Sequence, residues 1–348
     1  MYFIINNKPP NSRSKNIMKR SSHDNCLICH KKKATKKNSH IIPAGLLKKS
    51  VGKRNKEEAY RIDGSSGTTY SYFGRENLKN TSEELKQDIH ARDFYFCPSC
   101  ESKLGDLESK VIPFLTEKVQ DVKYRNQFVE KTSKSGIRFL ETLNINRTDF
   151  LVFIYSVVWR IALLYDEEHK KYSLKEEEME DFRFLIYSYL YNENSDLVND
   201  ILNKYGFALA TAESFEPNEG NATFTVDFLD NPNVYFIYEF IVFLHSVDDP
   251  AVATPFYECM NSGSQTIKVS VLTVKQWNRA KEPFIKLLAN NVIDKQIEQL
   301  VNLIGKPFHE CQFLLVTELS TLTSGDTTEM DFFTRCQIAV ENISKRWK

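Results

Sequence analysis

The chain has 348 residues, 41% of them hydrophobic, and 46 basic against 46 acidic side chains, too long for one small metal module and long enough to bury a second core, so two domains are expected. Seven cysteines, an odd count, speak against a disulfide framework and for a reducing compartment, expected to be the cytoplasm. Phe150 to Tyr165 is the most apolar long stretch, but it contains Arg160 and falls short of the roughly 20 residues that span a bilayer; the apolar run Met1–Ile5 is too short for the core of a signal peptide, so no membrane partner is expected.

The zero net charge hides an asymmetry. Residues 1–60 carry fifteen Lys and Arg against three acids, Asp24, Glu57 and Glu58, an excess of +12 that the remainder of the chain balances. The basic end is the expected polyanion-facing end. Residues 1–24, with Pro9-Pro10 and scattered basic residues without apolar periodicity, read as a basic flexible arm.

An ordered module is expected over 25–124. It opens with the pair Cys26-x-x-Cys29, followed by Lys31, Lys32, Lys33, Lys36 and Lys37 and then Asn38-Ser39-His40-Ile41-Ile42-Pro43. A solvated loop is the plain reading of such lysines, and their closeness to metal-binding pairs and a histidine raises phosphate contact beside it. Residues 44–49, including Lys48 and Lys49, suggest a short helical turn. Alternation over Ala59–Phe73 around Gly64-Ser65-Ser66-Gly67 predicts a hairpin. Residues 74–92 read as a polar insertion and Phe94–Phe96 as a short strand. A second pair, Cys97-x-x-Cys100, then opens a helix in which Leu104, Leu107, Val111 and Leu115 recur at helical spacing, with Glu101, Asp106 and Glu108 in its first turns.

Thiolates two residues apart can both reach Zn²⁺ at about 2.3 Å, and two such pairs close a tetrahedral shell with no open position. Cys26, Cys29, Cys97 and Cys100 are therefore predicted ligands of a structural zinc. His40 has no place in that shell and is available for another role.

From residue 125 onward an α+β domain is expected. Helices are predicted near Thr148–Tyr165, Phe182–Tyr191 and Asp196–Tyr205. Strands follow at Phe207–Ala212, Ala222–Leu229, Val234–Leu244 and Thr266–Leu272, the third of which could instead be a buried helix. Helices at Val274–Asn290, Asp294–Ile304 and Met330–Ser344 close the chain, with Phe313–Thr317 as a further strand.

The order C-x-x-C, Ser-His-Ile-Ile-Pro, C-x-x-C and helix resembles the HNH endonuclease superfamily, in its zinc-bearing treble-clef (ββα-metal) form. Cys100-Glu101, Leu107-Glu108 and Trp159-Arg160 are similar to pairs in a group of uncharacterised bacterial proteins. The resemblance covers residues 25–120, and more loosely extends to about 165. It implies an HNH-like module followed by a larger α+β domain, and hydrolysis of nucleic-acid phosphodiester bonds in a setting of bacterial or mobile-element defence. On that mapping His40 is the general base, while Glu101, with Asp106 behind it, grips a catalytic Mg²⁺ or Mn²⁺. Ser39 departs from the pattern, since an acidic residue or histidine usually stands there as metal ligand. The other reading is a zinc module without catalysis that binds nucleic acid or a protein partner, its C-terminal domain serving as sensor or as an assembly surface for a homo-oligomer.

Overall fold

A computed structural model describes residues 20–46, 58–63, 68–73, 91–119, 121–169, 174–213, 226–229, 233–237, 240–246, 255–262, 266–323 and 332–347. The arm over 1–19, Lys48, Lys49, the hairpin's turn and the insertion up to residue 90 lie outside them.

The N-terminal part contains β1 (Ser39–His40), β2 (Glu58–Asp63), β3 (Thr68–Phe73), β4 (Ala91–Arg92) and α1 (Pro98–Pro113). β2 and β3 pair antiparallel as the expected hairpin, and β1 pairs antiparallel with β4. Phe94–Phe96 is not a strand. Phe94 takes a left-handed φ of 64°, and the segment turns back so that the Phe94 N–H donates to Lys36 O and the Leu27 N–H to Tyr95 O. α1 is capped by Cys97 and begins with a proline, whose missing N–H costs nothing at a helix start.

Then come β5 (Val129–Thr132), β6 (Arg138–Thr142), α2 (Arg147–His169), α3 (Glu176–Tyr191), α4 (Ser195–Lys204), β7 (Tyr205–Ala212), β8 (Val226–Leu229), β9 (Asn233–Ile237), β10 (Phe240–Ser246), β11 (Met260–Asn261), β12 (Ile267–Leu272), α5 (Val274–Ile304), α6 (Phe308–Thr323) and α7 (Phe332–Trp347). Mixed helix and strand agrees with the expected class. One sheet runs β5-β6-β12-β7-β10-β9-β8, with β11 also paired to β7. Its ladders are antiparallel except β12 on β7.

Every residue of β7 is buried, which explains its lack of polar alternation. Tyr205, Phe207 and Leu209 face a large core shared with α2, whereas Ala208, Ala210 and Ala212 face a smaller one with Phe256, Cys259 and Trp277. α2 is buried on all sides from Phe150 to Ala162, the signature of a central helix. Its Phe150 and Tyr155 meet Phe207 of the sheet, while Trp159 stacks on Phe96 of the cysteine-bearing segment at 6.2 Å. The hydrophobic core thus passes from the cysteines into α2, α3 and the sheet without a break at residue 124.

Several expected elements differ. Val234–Leu244 is neither one strand nor a helix but the hairpin β9-β10. α3 starts six residues earlier than expected, because Glu176, Glu177 and Glu178 occupy its first turn, where the helix dipole favours acids. The two helices predicted over 274–304 are one, α5, closed by Gly305 at φ 69°. Phe313–Thr317 lies inside α6, where Cys311 and Leu315, one turn apart, fill a small core with α5 and α7. β5 and β6 were not anticipated.

Gly206 carries a close approach of chain segments. A Cβ there would stand 2.8 Å from both Met260 Cε and Ser262 Cβ, where β11 crosses. Gly206→Ala is therefore expected to destabilise the sheet by about 1–3 kcal/mol, read as a lower denaturation midpoint; an unchanged midpoint would show that β11 can move aside freely.

Candidate metal centre and adjoining polar site

The first knuckle is closed by backbone. Cys26 N–H donates to Lys32 O, and His30 N–H, at a left-handed φ of 54°, donates to Cys26 O. The second knuckle is the start of α1, where Glu101 N–H donates to Cys97 O and Cys100 N–H points at Cys97 Sγ over 3.5 Å. Leu27 N–H to Tyr95 O ties one knuckle to the other.

Cys26, Cys29, Cys97 and Cys100 are all buried, and their sulfurs lie within 4.8 Å of one another, with Cys29 and Cys97 at 4.0 Å. A tetrahedral shell with Zn–S bonds of about 2.3 Å needs sulfurs about 3.8 Å apart. The four thiols fit a zinc ion. The thiol of Cys100 donating to Cys26 is the largest cause holding Cys26 below the usual thiol range, while that same bond pushes Cys100 up and burial pushes Cys97 up, so four thiolates together need a cation among them. Bound there, zinc would supply cross-linking of the two knuckles.

The helix α3 holds this centre from outside. Arg183 Nη1 donates to Ile28 O at 2.8 Å, Lys103 Nζ to Leu190 O at 2.9 Å, and Tyr191 Oη lies 3.3 Å from Cys100 Sγ.

The adjoining polar site gathers around Glu101. Asn38, at φ 55°, donates its N–H to Asp93 Oδ1 and so aims β1 along β4. This brings Ser39 and His40 beside the first turn of α1. Burial pushes the Glu101 carboxyl above the usual carboxylate range; Ser39, Arg160 and His40 oppose that rise and Glu108 adds to it. Ser39 is fully buried, and neither its Oγ nor Glu101 Oε2 reaches a hydrogen-bond partner of ordinary geometry. Arg160, only 1% exposed, donates through Nη1 to His40 O at 3.0 Å and to Glu108 Oε1 at 2.8 Å, and through Nε to Ser156 O.

The structure sets Glu108, which sequence reasoning did not place in the site, near Glu101, and turns Asp106 away from it. Seven residues bring the chain back to nearly the same helix face, whereas Asp106, five residues from Glu101, is about 140° round and exposed. Arg160 offered a weaker signal, a guanidinium inside an otherwise apolar helix.

Of the lysines singled out, all five over 31–37 are exposed. Lys31 bonds Tyr187 Oη and Lys33 bonds Asn25 Oδ1, while Lys37 sits 6.0 Å from the Phe94 ring centre. No helix among the described residues is long and apolar enough to cross a membrane. No protein-family model, no curated protein and no solved structure matches the chain.

Proposed function

We propose that the chain is a metal-dependent, HNH-like endonuclease acting on nucleic-acid phosphodiester bonds. The observation that carries this reading is the convergence of His40, on β1, with the half-buried, incompletely hydrogen-bonded carboxylate of Glu101 on the first turn of α1. A neutral imidazole is a competent base near pH 7. Glu101, with Glu108 on the same helix face, would hold a divalent ion such as Mg²⁺ or Mn²⁺, which when bound supplies positive charge at the scissile phosphate. His40 takes the proton of the attacking water; the exposed Lys32 and Lys36, with the rest of the basic cluster, hold the backbone through salt-sensitive contacts.

Two observations favour a second reading, a zinc-built module that binds nucleic acid without cutting it. Glu108 already gives an oxygen to Arg160, and Ser39 is a poor ligand for a hard cation. Cleavage of plasmid and single-stranded DNA and RNA by the zinc-loaded chain, with added Mg²⁺ or Mn²⁺, separates the two. His40→Ala is expected to lower the cleavage rate by about 10²–10⁴-fold with affinity nearly unchanged. Wild-type protein that binds in a salt-dependent way and cuts nothing would leave the binding reading standing.

A further inference from the structure

A side chain from α3, some ninety residues downstream of the second cysteine pair, reaches the sulfur of Cys100. Tyr191 is the last residue of α3, which ends because Asn192 takes a left-handed φ of 53°. That stop leaves the Tyr191 hydroxyl 3.3 Å from Cys100 Sγ and 3.1 Å from Ser99 Oγ. Its ring packs against Tyr187, at 5.0 Å between centroids, and against Lys103, whose Nζ lies 4.8 Å from the ring centre. A zinc-bound thiolate can only accept, so the direction is set: Ser99 O–H donates to Tyr191 Oη, and Tyr191 O–H donates to Cys100 Sγ. Bonds in such a chain polarise one another.

We propose that Tyr191 is a positioning residue of the zinc centre, its hydroxyl donating to the Cys100 thiolate and thereby tying metal affinity to the docking of α3. This is independent of whether the adjoining site cleaves anything. Partners that hydrogen-bond metal ligands are typically worth 10–100-fold in affinity. Removing this donor leaves more charge on the sulfur, which moves the sulfur-to-metal charge-transfer band of a cobalt-substituted centre to lower energy.

The test is a comparison of full-length wild type, Tyr191→Phe and Ser99→Ala, by chelator competition for Zn²⁺ and by the near-ultraviolet charge-transfer band of the Co²⁺ form. Phenylalanine keeps the ring contacts with Tyr187 and Lys103, and far-ultraviolet circular dichroism checks the fold. Expected are a 10–100-fold loss of zinc affinity with a red-shifted band for Tyr191→Phe, and a smaller loss for Ser99→Ala. An unshifted band overturns the proposal, whether affinity is kept or lost, because loss alone would then be general loosening. So does a Ser99→Ala loss as large as that of Tyr191→Phe, or a wild-type chain that takes up no metal.

Discussion

Stripping the metal, or replacing Cys26 by Ala, is expected to unfold the cysteine-bearing segment and to disturb the helices packed on it. The free energy of structural zinc in small modules is about 10–16 kcal/mol, comparable to the whole stability of a typical domain, about 5–15 kcal/mol. Among the described residues the two cysteine-bearing segments are otherwise joined by three backbone hydrogen bonds, Leu27 N–H to Tyr95 O, Phe94 N–H to Lys36 O and Lys36 N–H to Phe96 O, and by buried side chains such as Ile28 and Phe96, each bond worth about 0.5–1.5 kcal/mol. Because Phe96 stacks on Trp159, the damage should be visible far from the sulfurs. Metal analysis of Cys26→Ala should show loss of tightly bound zinc, and the near-ultraviolet dichroism and fluorescence of Trp159 should change with it. A chelator-treated chain with the native Trp159 signal and an unmoved denaturation midpoint would refute the structural role of the metal.

The second large effect is expected at Arg160. Its guanidinium is almost wholly buried, and it satisfies His40 O, Glu108 and Ser156 O together. Arg160→Met keeps much of the apolar stem but leaves the Glu108 carboxylate and the His40 carbonyl without their donor, a change worth about 3–5 kcal/mol when one partner of a buried pair is removed. The double variant Arg160→Met, Glu108→Leu removes the stranded charge as well and should recover a substantial part of that loss. Denaturant midpoints of the two single variants and the double variant measure the coupling directly. Additive losses would show that Glu108 is adequately solvated on its own, its side chain being 19% exposed, and that the arginine matters chiefly through the backbone of β1.

What the amino-acid order made legible was the local part. The two cysteine pairs declare themselves by a spacing of two, and α1 by Leu104, Leu107 and Val111, because both patterns are satisfied within one turn of chain. Composition misled where two structures share it. Val234–Leu244 is rich in strand-forming residues throughout, and only the antiparallel pairing that sets Phe240 opposite Ile237 divides it into β9 and β10. Phe313–Thr317 is apolar and short enough for a strand, yet Cys311 and Leu315 face the same neighbours one turn apart. Glu108, Arg160 and Tyr191 were not placed in the site because their partners lie 52 to 120 residues away, and no periodicity reports such distances. The faces of α1 could have been compared: Glu101 and Glu108 are seven apart.

The uninterrupted core between the cysteines and α2 also limits how this segment could be borrowed by other proteins. A segment is moved from one protein to another most easily when its surface is already finished, needing a linker and nothing more. Here the cut at residue 124 would expose Phe96, Leu104 and Leu107, and would remove the arginines that hold the carbonyls of Ile28 and His40. The transplantable unit is therefore larger than the motif that identifies it, and must carry α2 and α3 as its inseparable back wall.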